Sequence, residues 1–155
     1  VWMGWRLGWL VVPSAMAEAV ERLAQHLFIC PNTIAQHAAL ACFTPESLEV
    51  YEQRRAEFKQ RRDFFIPELN RLGLQVPVHP DGAFYAYADC RLLADRLGVQ
   101  GSWDCAFALM RKVGLVVTPG RDFGTVQADR YLRFSTANSR QQLQEAIQRL
   151  EGVMA

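Results

Sequence analysis

Val1-Trp2-Met3-Gly4-Trp5-Arg6-Leu7-Gly8-Trp9 opens the sequence. It places one arginine, Arg6, among three tryptophans and directly before the apolar run 7–12. Two interpretations of Arg6 follow from these residues. In the first, the aliphatic stem of Arg6 packs on aromatic rings at the surface or at an interface, and its charged head stays in water. Alternatively, its guanidinium, a planar fork of donors with a permanent charge, binds a phosphate group.

A second arginine lies inside the alternating stretch Tyr131-Leu132-Arg133-Phe134-Ser135-Thr136-Ala137. Alternation along a strand puts Arg133 on the face opposite its apolar neighbours. A charge within an apolar strand is costly without a partner, so we expect Arg133 to pair with an anion. That anion is either a local carboxylate, Asp122 or Asp129, or the carboxylate of a bound ligand.

Two further stretches accompany these arginines along the chain: Pro80-Asp81-Gly82-Ala83-Phe84-Tyr85 and Val117-Thr118-Pro119-Gly120-Arg121-Asp122-Phe123-Gly124. Together the four stretches resemble class I and II aminotransferases, which are fold-type-I enzymes that use pyridoxal 5'-phosphate (PLP). The resemblance spans essentially the whole chain and implies the C-terminal part of such an enzyme. The activity that it implies is transfer of an amino group between an amino acid and a 2-oxo acid.

The resemblance also implies roles for individual residues. Arg6 matches the arginine that holds the PLP phosphate, and Arg133 matches the arginine that clamps the substrate α-carboxylate. Phe123 lies in a turn that lines the substrate entrance. Asn32 lies in a loop that approaches the partner's active site in dimers of the family. We therefore expect a homo-oligomer.

PLP catalysis also needs a lysine that attaches the cofactor and an acidic partner for its pyridinium nitrogen. In the family this lysine precedes the position of Arg6, and its place lies upstream of Val1. The two lysines present, Lys59 and Lys112, have sequence contexts that offer no desolvated pocket. We therefore expect no catalytic residue, no activity and no bound PLP from this chain alone. The alternatives are another fold-type-I activity, such as a C–S lyase or a decarboxylase, and a truncated, non-catalytic structural module.

Periodicity predicts an α/β protein in two parts. The resemblance implies that residues 1–43 are a remnant of a large PLP-binding domain. Their pattern predicts a buried strand at 7–12 and two helices, the first capped by Ser14. Residues 44–155 are expected to form a small α+β domain that includes a long interdomain helix at about 44–72. Its other predicted elements are strands at 74–78, 83–88, 115–118 and 131–136, a helix near 102–113, and a last helix opened by Ser139 and Gln142.

Composition disfavours several other functions. Half of the 155 residues are hydrophobic and the formal net charge is +1, which is ordinary for a globular protein. The arginine-rich segment 54–62 is interspersed with glutamates, which is typical of a solvated helix face rather than a nucleic-acid site. No apolar segment is long enough to cross a bilayer. The four cysteines and three histidines are widely spaced, so we expect buried, reduced thiols, no metal site and a cytoplasmic location.

Overall fold

The computed structural model describes residues 3–155 and contains six α-helices and three β-strands in that range. The chain divides into two compact units, Val1–Gln53 and Arg54–Ala155, hereafter the N-terminal unit and the C-terminal unit. The division falls inside helix α3 (Pro45–Arg71), whereas the sequence places the domain boundary ahead of this helix. Val1 and Trp2 lie outside the described residues.

The N-terminal unit is helical. Helix α1 (Ser14–Leu27) has Pro13 at its capping position, so Ser14 is the first residue of the helix and the predicted Ser14 cap is wrong. Helix α2 (Thr33–Leu40) is capped by Asn32, whose side-chain oxygen accepts a hydrogen bond of 3.2 Å from the backbone amide of Ala35. Short 3-10 helices lie at Met3–Trp5 and Ala41–Phe43.

The buried strand predicted at 7–12 is wrong. This segment pairs with no strand of the described chain, and most of its side chains are exposed. A strand needs a neighbour for its backbone N–H and C=O groups, and the described residues supply none. Among the described residues of this unit, Ala35 alone is buried. The unit therefore presents a broad apolar surface, to which the exposed side chains of Trp5, Trp9, Leu10, Val11, Met16, Leu23, Leu27, Phe28, Ile29, Ile34, Leu40 and Phe43 contribute.

The C-terminal unit has the predicted α+β architecture. Its antiparallel sheet has β3 (Tyr131–Ser135) in the centre, β1 (Tyr85–Asp89) on one side and β2 (Thr118–Pro119) on the other. Three further helices belong to this unit: α4 (Arg91–Leu97), α5 (Gly101–Val113) and α6 (Arg140–Met154). Helix α6 begins with the predicted capping box, in which Ser139 and Gln142 exchange hydrogen bonds between side chain and backbone.

The core of this unit lies between the helices and one face of the sheet. The strands contribute alternate residues, Ala86 and Ala88 from β1 and Leu132 and Phe134 from β3. The helices contribute larger side chains to the same cluster, among them Phe65, Ile66, Leu69, Leu93, Leu97, Leu109, Leu143, Ile147 and Leu150. Each fully buried side chain of this size contributes about 1.5–3 kcal/mol. The residues that alternate with these positions along the strands lie on the opposite face of the sheet.

Of the predicted strands, the one at 74–78 does not form and the one at 115–118 forms only at its last residue. The segment 74–78 makes one backbone hydrogen bond with β1, 2.8 Å long, and Pro77 has no N–H with which to continue a ladder. Within 115–118, only Thr118 pairs with β3, because Leu115 donates its amide to a carbonyl near the end of α5 instead. Helix α4 is an element that the sequence analysis missed.

Asp89 ends β1 as a carboxylate that is only 8% exposed. It accepts hydrogen bonds from the backbone amide and the guanidinium of Arg91 and, at 2.7 Å, from Nε of Arg130. Burial raises the pKa of Asp89, but the hydrogen bonds from Arg91 and Arg130 outweigh it, so the net pKa lies below its ordinary value. The ionised carboxylate therefore stabilises the folded state.

We expect D89N to lower the free energy of unfolding by about 1–2 kcal/mol at pH 7. Because the folded-state pKa lies below the unfolded one, the advantage of ionised Asp89 is present above about pH 4 and lost as the pH falls towards the folded-state pKa. Urea unfolding at pH 7 and pH 3 checks this, with the exposed Asp81→Asn as the matched control. A D89N deficit that is equally large at both pH values would contradict the assignment.

Candidate functional site

Arg133 lies on the open face of the sheet, as its place in the sequence predicts. Its neighbours Leu132 and Phe134 point into the core, at 0% and 5% exposure, while Arg133 itself is half-buried. Across the sheet, Arg133 stands opposite Tyr87 in β1 and Thr118 in β2. The central strand thus presents a single cation between two flanking strands.

Two aromatic rings enclose the guanidinium of Arg133. Its Cζ lies 4.1 Å from the ring centroid of Tyr85 and 4.2 Å from that of Phe123. One Nη donates to Oγ1 of Thr118 over 3.4 Å, a long and weak hydrogen bond. Stacking occupies the faces of a guanidinium and leaves its edge, where the N–H donors lie, for a planar anion.

No carboxylate of the described chain forms an ion pair with Arg133. The local salt bridge, which the sequence left open, is therefore wrong. Asp129 instead accepts a hydrogen bond from Ser102 at 3.3 Å, and Asp122 is exposed in the turn before Phe123. A half-buried arginine with no internal anion is a candidate binding site for an external one.

The turn that carries Phe123 depends on Gly120. A 3-10 helix spans Gly120–Phe123, and its first residue, Gly120, is buried. A Cβ at this position would lie 2.3 Å from the carbonyl oxygen of Ala128, 2.5 Å from Oη of Tyr87 and 2.6 Å from the carbonyl oxygen of Tyr131. Only glycine allows this close approach, which holds Phe123 over the guanidinium.

Tyr87 also contacts this turn. Its hydroxyl donates to the carbonyl of Gly120 at 3.3 Å, and its ring stacks on Tyr131 with centroids 4.7 Å apart. Burial raises the pKa of Tyr87, so the hydroxyl stays protonated and able to donate at neutral pH. Arg121, one residue further along the turn, stacks on the ring of Trp103 at 3.6 Å.

Sequence reasoning found Arg133 and Phe123, which the structure brings together, but it missed Tyr85, Tyr87 and Thr118 as their neighbours. The alternation of tyrosine and alanine in 85–88 was a usable signal, because it puts both tyrosines on one face of β1. Thr118 carried no such signal, since its pairing with Arg133 depends on strand register.

Arg6 lies in the N-terminal unit with an exposed side chain and a φ of 57°. This left-handed conformation is uncommon for a residue other than glycine, and such outliers concentrate at binding sites. Arg6 lines a cavity of about 610 Å³, whose other described walls are mostly apolar and include Trp9, Phe28 and Pro31. No carboxylate of the described residues pairs with it, so its donors are available to an anion. A phosphate fits this donor set.

The other candidate residues have ordinary structural roles. Asn32 caps α2 through its side chain, next to Pro31 in the wall of the Arg6 cavity. Lys59 is exposed and pairs with Asp63 at 2.5 Å, while Lys112 is exposed and donates to a backbone carbonyl at 3.2 Å. Within residues 3–155, no three histidine, cysteine, aspartate or glutamate side chains converge as metal ligands. No described helix has both the length and the apolarity to span a membrane.

Comparison with known proteins gives one consistent family. A family model described as aminotransferase class I and II matches residues 2–150. The chain is 34% identical over 148 residues to a valine–pyruvate aminotransferase of Mycobacterium tuberculosis, covering 95% of the chain and 37% of that relative.

Solved structures agree. An aminotransferase from Mycobacterium tuberculosis matches with a TM-score of 0.83 at 34% identity, over 97% of this chain and 38% of that one. An aromatic aminotransferase from Pyrococcus horikoshii matches with a TM-score of 0.79 at 32% identity, over 97% of this chain and 38% of that one. The chain therefore spans less than two fifths of the length of the proteins that it resembles.

Proposed function

Because the chain belongs to the class I and II aminotransferase family, we propose that it supplies the substrate-carboxylate and cofactor-phosphate sites of a PLP-dependent aminotransferase. The whole protein would transfer an amino group between an amino acid and a 2-oxo acid. The chain covers 37% of the length of the valine–pyruvate relative, so the reaction is assigned to a longer protein and not to these 155 residues alone.

The observation that carries the proposal is the guanidinium of Arg133, stacked between Tyr85 and Phe123 on the open face of the sheet. A guanidinium fork matches a carboxylate with two parallel hydrogen bonds, and the rings fix its plane before the ligand arrives. In both amino acids and 2-oxo acids, a carboxylate is bonded directly to the carbon that loses or gains the amino group. Arg133 would therefore orient either substrate by the same group.

Arg6 would hold the phosphate of PLP. Its positive φ, its exposed donors and the apolar walls of its cavity support this role. When bound, PLP supplies an electron sink for the charge that develops at the substrate α-carbon. The part played by Arg6 is to anchor the cofactor by its phosphate, which leaves the ring to be positioned by other groups.

Neither lysine of this chain suits attachment of PLP. Lys59 and Lys112 are both exposed, and each already donates to an oxygen of a neighbouring residue. A lysine used for this chemistry needs an environment that favours its neutral form. The proposal therefore includes a lysine outside residues 1–155 and no transamination by this chain alone.

The proposal extends to assembly and location. The exposed apolar side chains of the N-terminal unit support burial against further protein, and we assign the whole enzyme to a homodimer in which Asn32 lies near the partner's site. All four cysteines are free, which suits the reducing cytoplasm.

A chimera tests the proposed function. This chain replaces the matching segment of the Mycobacterium tuberculosis valine–pyruvate aminotransferase, which keeps its own remaining sequence. We expect the chimera to retain PLP through gel filtration and to transfer an amino group from valine to pyruvate, whereas the chain alone does neither. Absorbance of retained PLP and alanine formation are the two readouts.

Circular dichroism and gel filtration of the chimera are compared with those of the relative as the folding control. Suppose that the chimera matches the relative in circular dichroism and in gel filtration and retains PLP, but forms no alanine. This result would count against the proposed aminotransferase function. Borohydride-stable labelling of Lys59 or Lys112 at stoichiometric PLP would overturn the assignment of the lysine to another part of the protein.

A further inference from the structure

Sequence-based expectations of burial are wrong for two groups of side chains. All four thiols are expected to be buried, but Cys30 is exposed. Conversely, the arginine-rich segment 54–62 is expected to be a solvated helix face, but the side chains of Arg61 and Arg62 are only 16% and 13% exposed. Largely buried guanidinium groups need hydrogen-bond acceptors, and the positions of those acceptors indicate what the two arginines do.

Both arginines reach from α3 to main-chain carbonyls beside the strands of the sheet. Nη1 of Arg61 donates at 2.9 Å to the carbonyl of Ala137, in the segment that follows β3. Nη1 of Arg62 donates at 2.8 Å to the carbonyl of Pro80, in the loop that precedes β1. Helix α3 therefore holds the ends of the two strands that form the Arg133 site.

The loop that Arg62 holds contains a strained residue. Ala83 has a φ of 58°, which is unfavourable for a residue with a Cβ. Such a conformation persists only where the surrounding contacts enforce it. Two hydrogen bonds bracket it, one from Arg62 to the carbonyl of Pro80 and one of 2.8 Å from the amide of Thr136 to the carbonyl of Phe84. Without the bond from Arg62, Ala83 would be free to relax on the side that leads away from the sheet.

A series of ring contacts joins this loop to Arg133. The ring of Phe84 lies between two others, with centroids 5.7 Å from Phe58 of α3 and 4.4 Å from Tyr85. The ring of Tyr85 in turn lies 4.1 Å from Cζ of Arg133. Relaxation of Ala83 would turn Phe84, and Tyr85 would then lose the neighbour that fixes its ring.

We propose that Arg62 is a positioning residue for the substrate-carboxylate site. By holding Pro80, it keeps Ala83 in its left-handed conformation and the ring of Tyr85 on the guanidinium of Arg133. The inference rests on the proposed function, in which Arg133 binds the carboxylate of the substrate. Arg62 does not contact the substrate; it lowers the cost of ordering the site when the carboxylate binds.

The test uses Arg62→Gln in the full 15N-labelled chain. Glutamine keeps a polar group beside Asp63, but it is too short to reach Pro80. We expect pyruvate to bind about two- to tenfold more weakly, because one more flexible side chain must be ordered. Without pyruvate, the Nε–Hε signal of Arg133 should move downfield, because a proton stacked on a ring is shielded. Arg62→Lys, which keeps a charged donor on a long stem, should bind pyruvate more tightly than Arg62→Gln.

Arg71→Gln is the matched control on the same helix. The partners of Arg71 are Glu68 and Glu151 instead of a loop carbonyl, so both the pyruvate affinity and the Arg133 signal should stay unchanged. Circular dichroism verifies that each variant is folded. Arg62→Met, which keeps the unbranched stem without a donor, is made in parallel and decides if Arg62→Gln does not fold.

Two results would overturn the positioning role. One is a folded Arg62→Gln or Arg62→Met with unchanged pyruvate affinity and an unchanged Arg133 signal, and the other is an equal loss of affinity in Arg71→Gln. Failure of the proposed function gives a different result, since the unchanged chain itself would then show no pyruvate response at Arg133. The downfield movement of the Arg133 signal in Arg62→Gln needs no ligand, so it would still support the hold of Arg62 on the Tyr85 ring.

Discussion

Replacing Gly120 by alanine should destabilise the C-terminal unit by about 3 kcal/mol or more, which corresponds to a fall of about 10 °C in the midpoint of thermal unfolding. The new Cβ would lie 2.3 Å from the carbonyl oxygen of Ala128 and 2.6 Å from that of Tyr131. Both obstacles are backbone atoms, one in the 3-10 helix Ala128–Arg130 and the other at the start of β3, so neither can move away as a flexible side chain would. The third obstacle, Oη of Tyr87, would lose its hydrogen bond to Gly120.

Gly152→Ala is the matched control for this prediction. Gly152 lies in α6, and nothing stands within 4 Å of the position of its Cβ. Alanine there should stabilise the helix by about 0.5–1 kcal/mol, because it restricts the unfolded chain and favours helix. Differential scanning calorimetry separates the two variants. Equal midpoints for Gly120→Ala and the unchanged chain would refute the close packing around this turn.

Arg133→Lys should weaken binding of a small carboxylate to the chain by about tenfold or more, equivalent to the loss of one or two charge-assisted hydrogen bonds. Lysine keeps the charge but lacks the planar fork, and it cannot stack between Tyr85 and Phe123 as a guanidinium does. Pyruvate is a suitable probe, since it carries the carboxylate without the ammonium group that Arg133 would repel. Titration followed by NMR measures the change in affinity.

Arg121→Lys controls for the change of side-chain type on the same turn. Arg121 is exposed and stacks on Trp103. We expect this variant to bind pyruvate as the unchanged chain does. Equal weakening in both variants would mean that pyruvate responds to the general charge of the turn, and the Arg133 site would have to be abandoned.

The sequence predicted those parts of the molecule whose signals are local. The capping pair Ser139 and Gln142, the helix that begins near residue 102 and the alternation around Arg133 each depend on residues close together in the chain. The resemblance to class I and II aminotransferases is confirmed by the family match over residues 2–150. Helical periodicity and alternation suffice for such elements because their geometry is set by neighbouring residues.

The failures occurred where the answer depends on a distant partner. The apolar run 7–12 has the composition of a strand, but no described strand lies beside it to complete its hydrogen bonds. The two rings on Arg133 come from positions 85 and 123, and only the register of β1 with β3 and the fold of the turn bring them together. Propensity carries no information about register between strands that are distant in sequence.

The most direct test of the central claim compares pyruvate with pyruvamide, which differs by replacement of the carboxylate with an amide. The Nε–Hε signal of Arg133, identified by its absence from the Arg133→Lys spectrum, is followed in the 15N-labelled chain. We predict a saturable shift of this signal with pyruvate, in the millimolar range expected for one charged pair, and none with pyruvamide. Equal shifts with both compounds, or a pyruvate response at the exposed arginines and not at Arg133, would contradict the assignment of a substrate-carboxylate site.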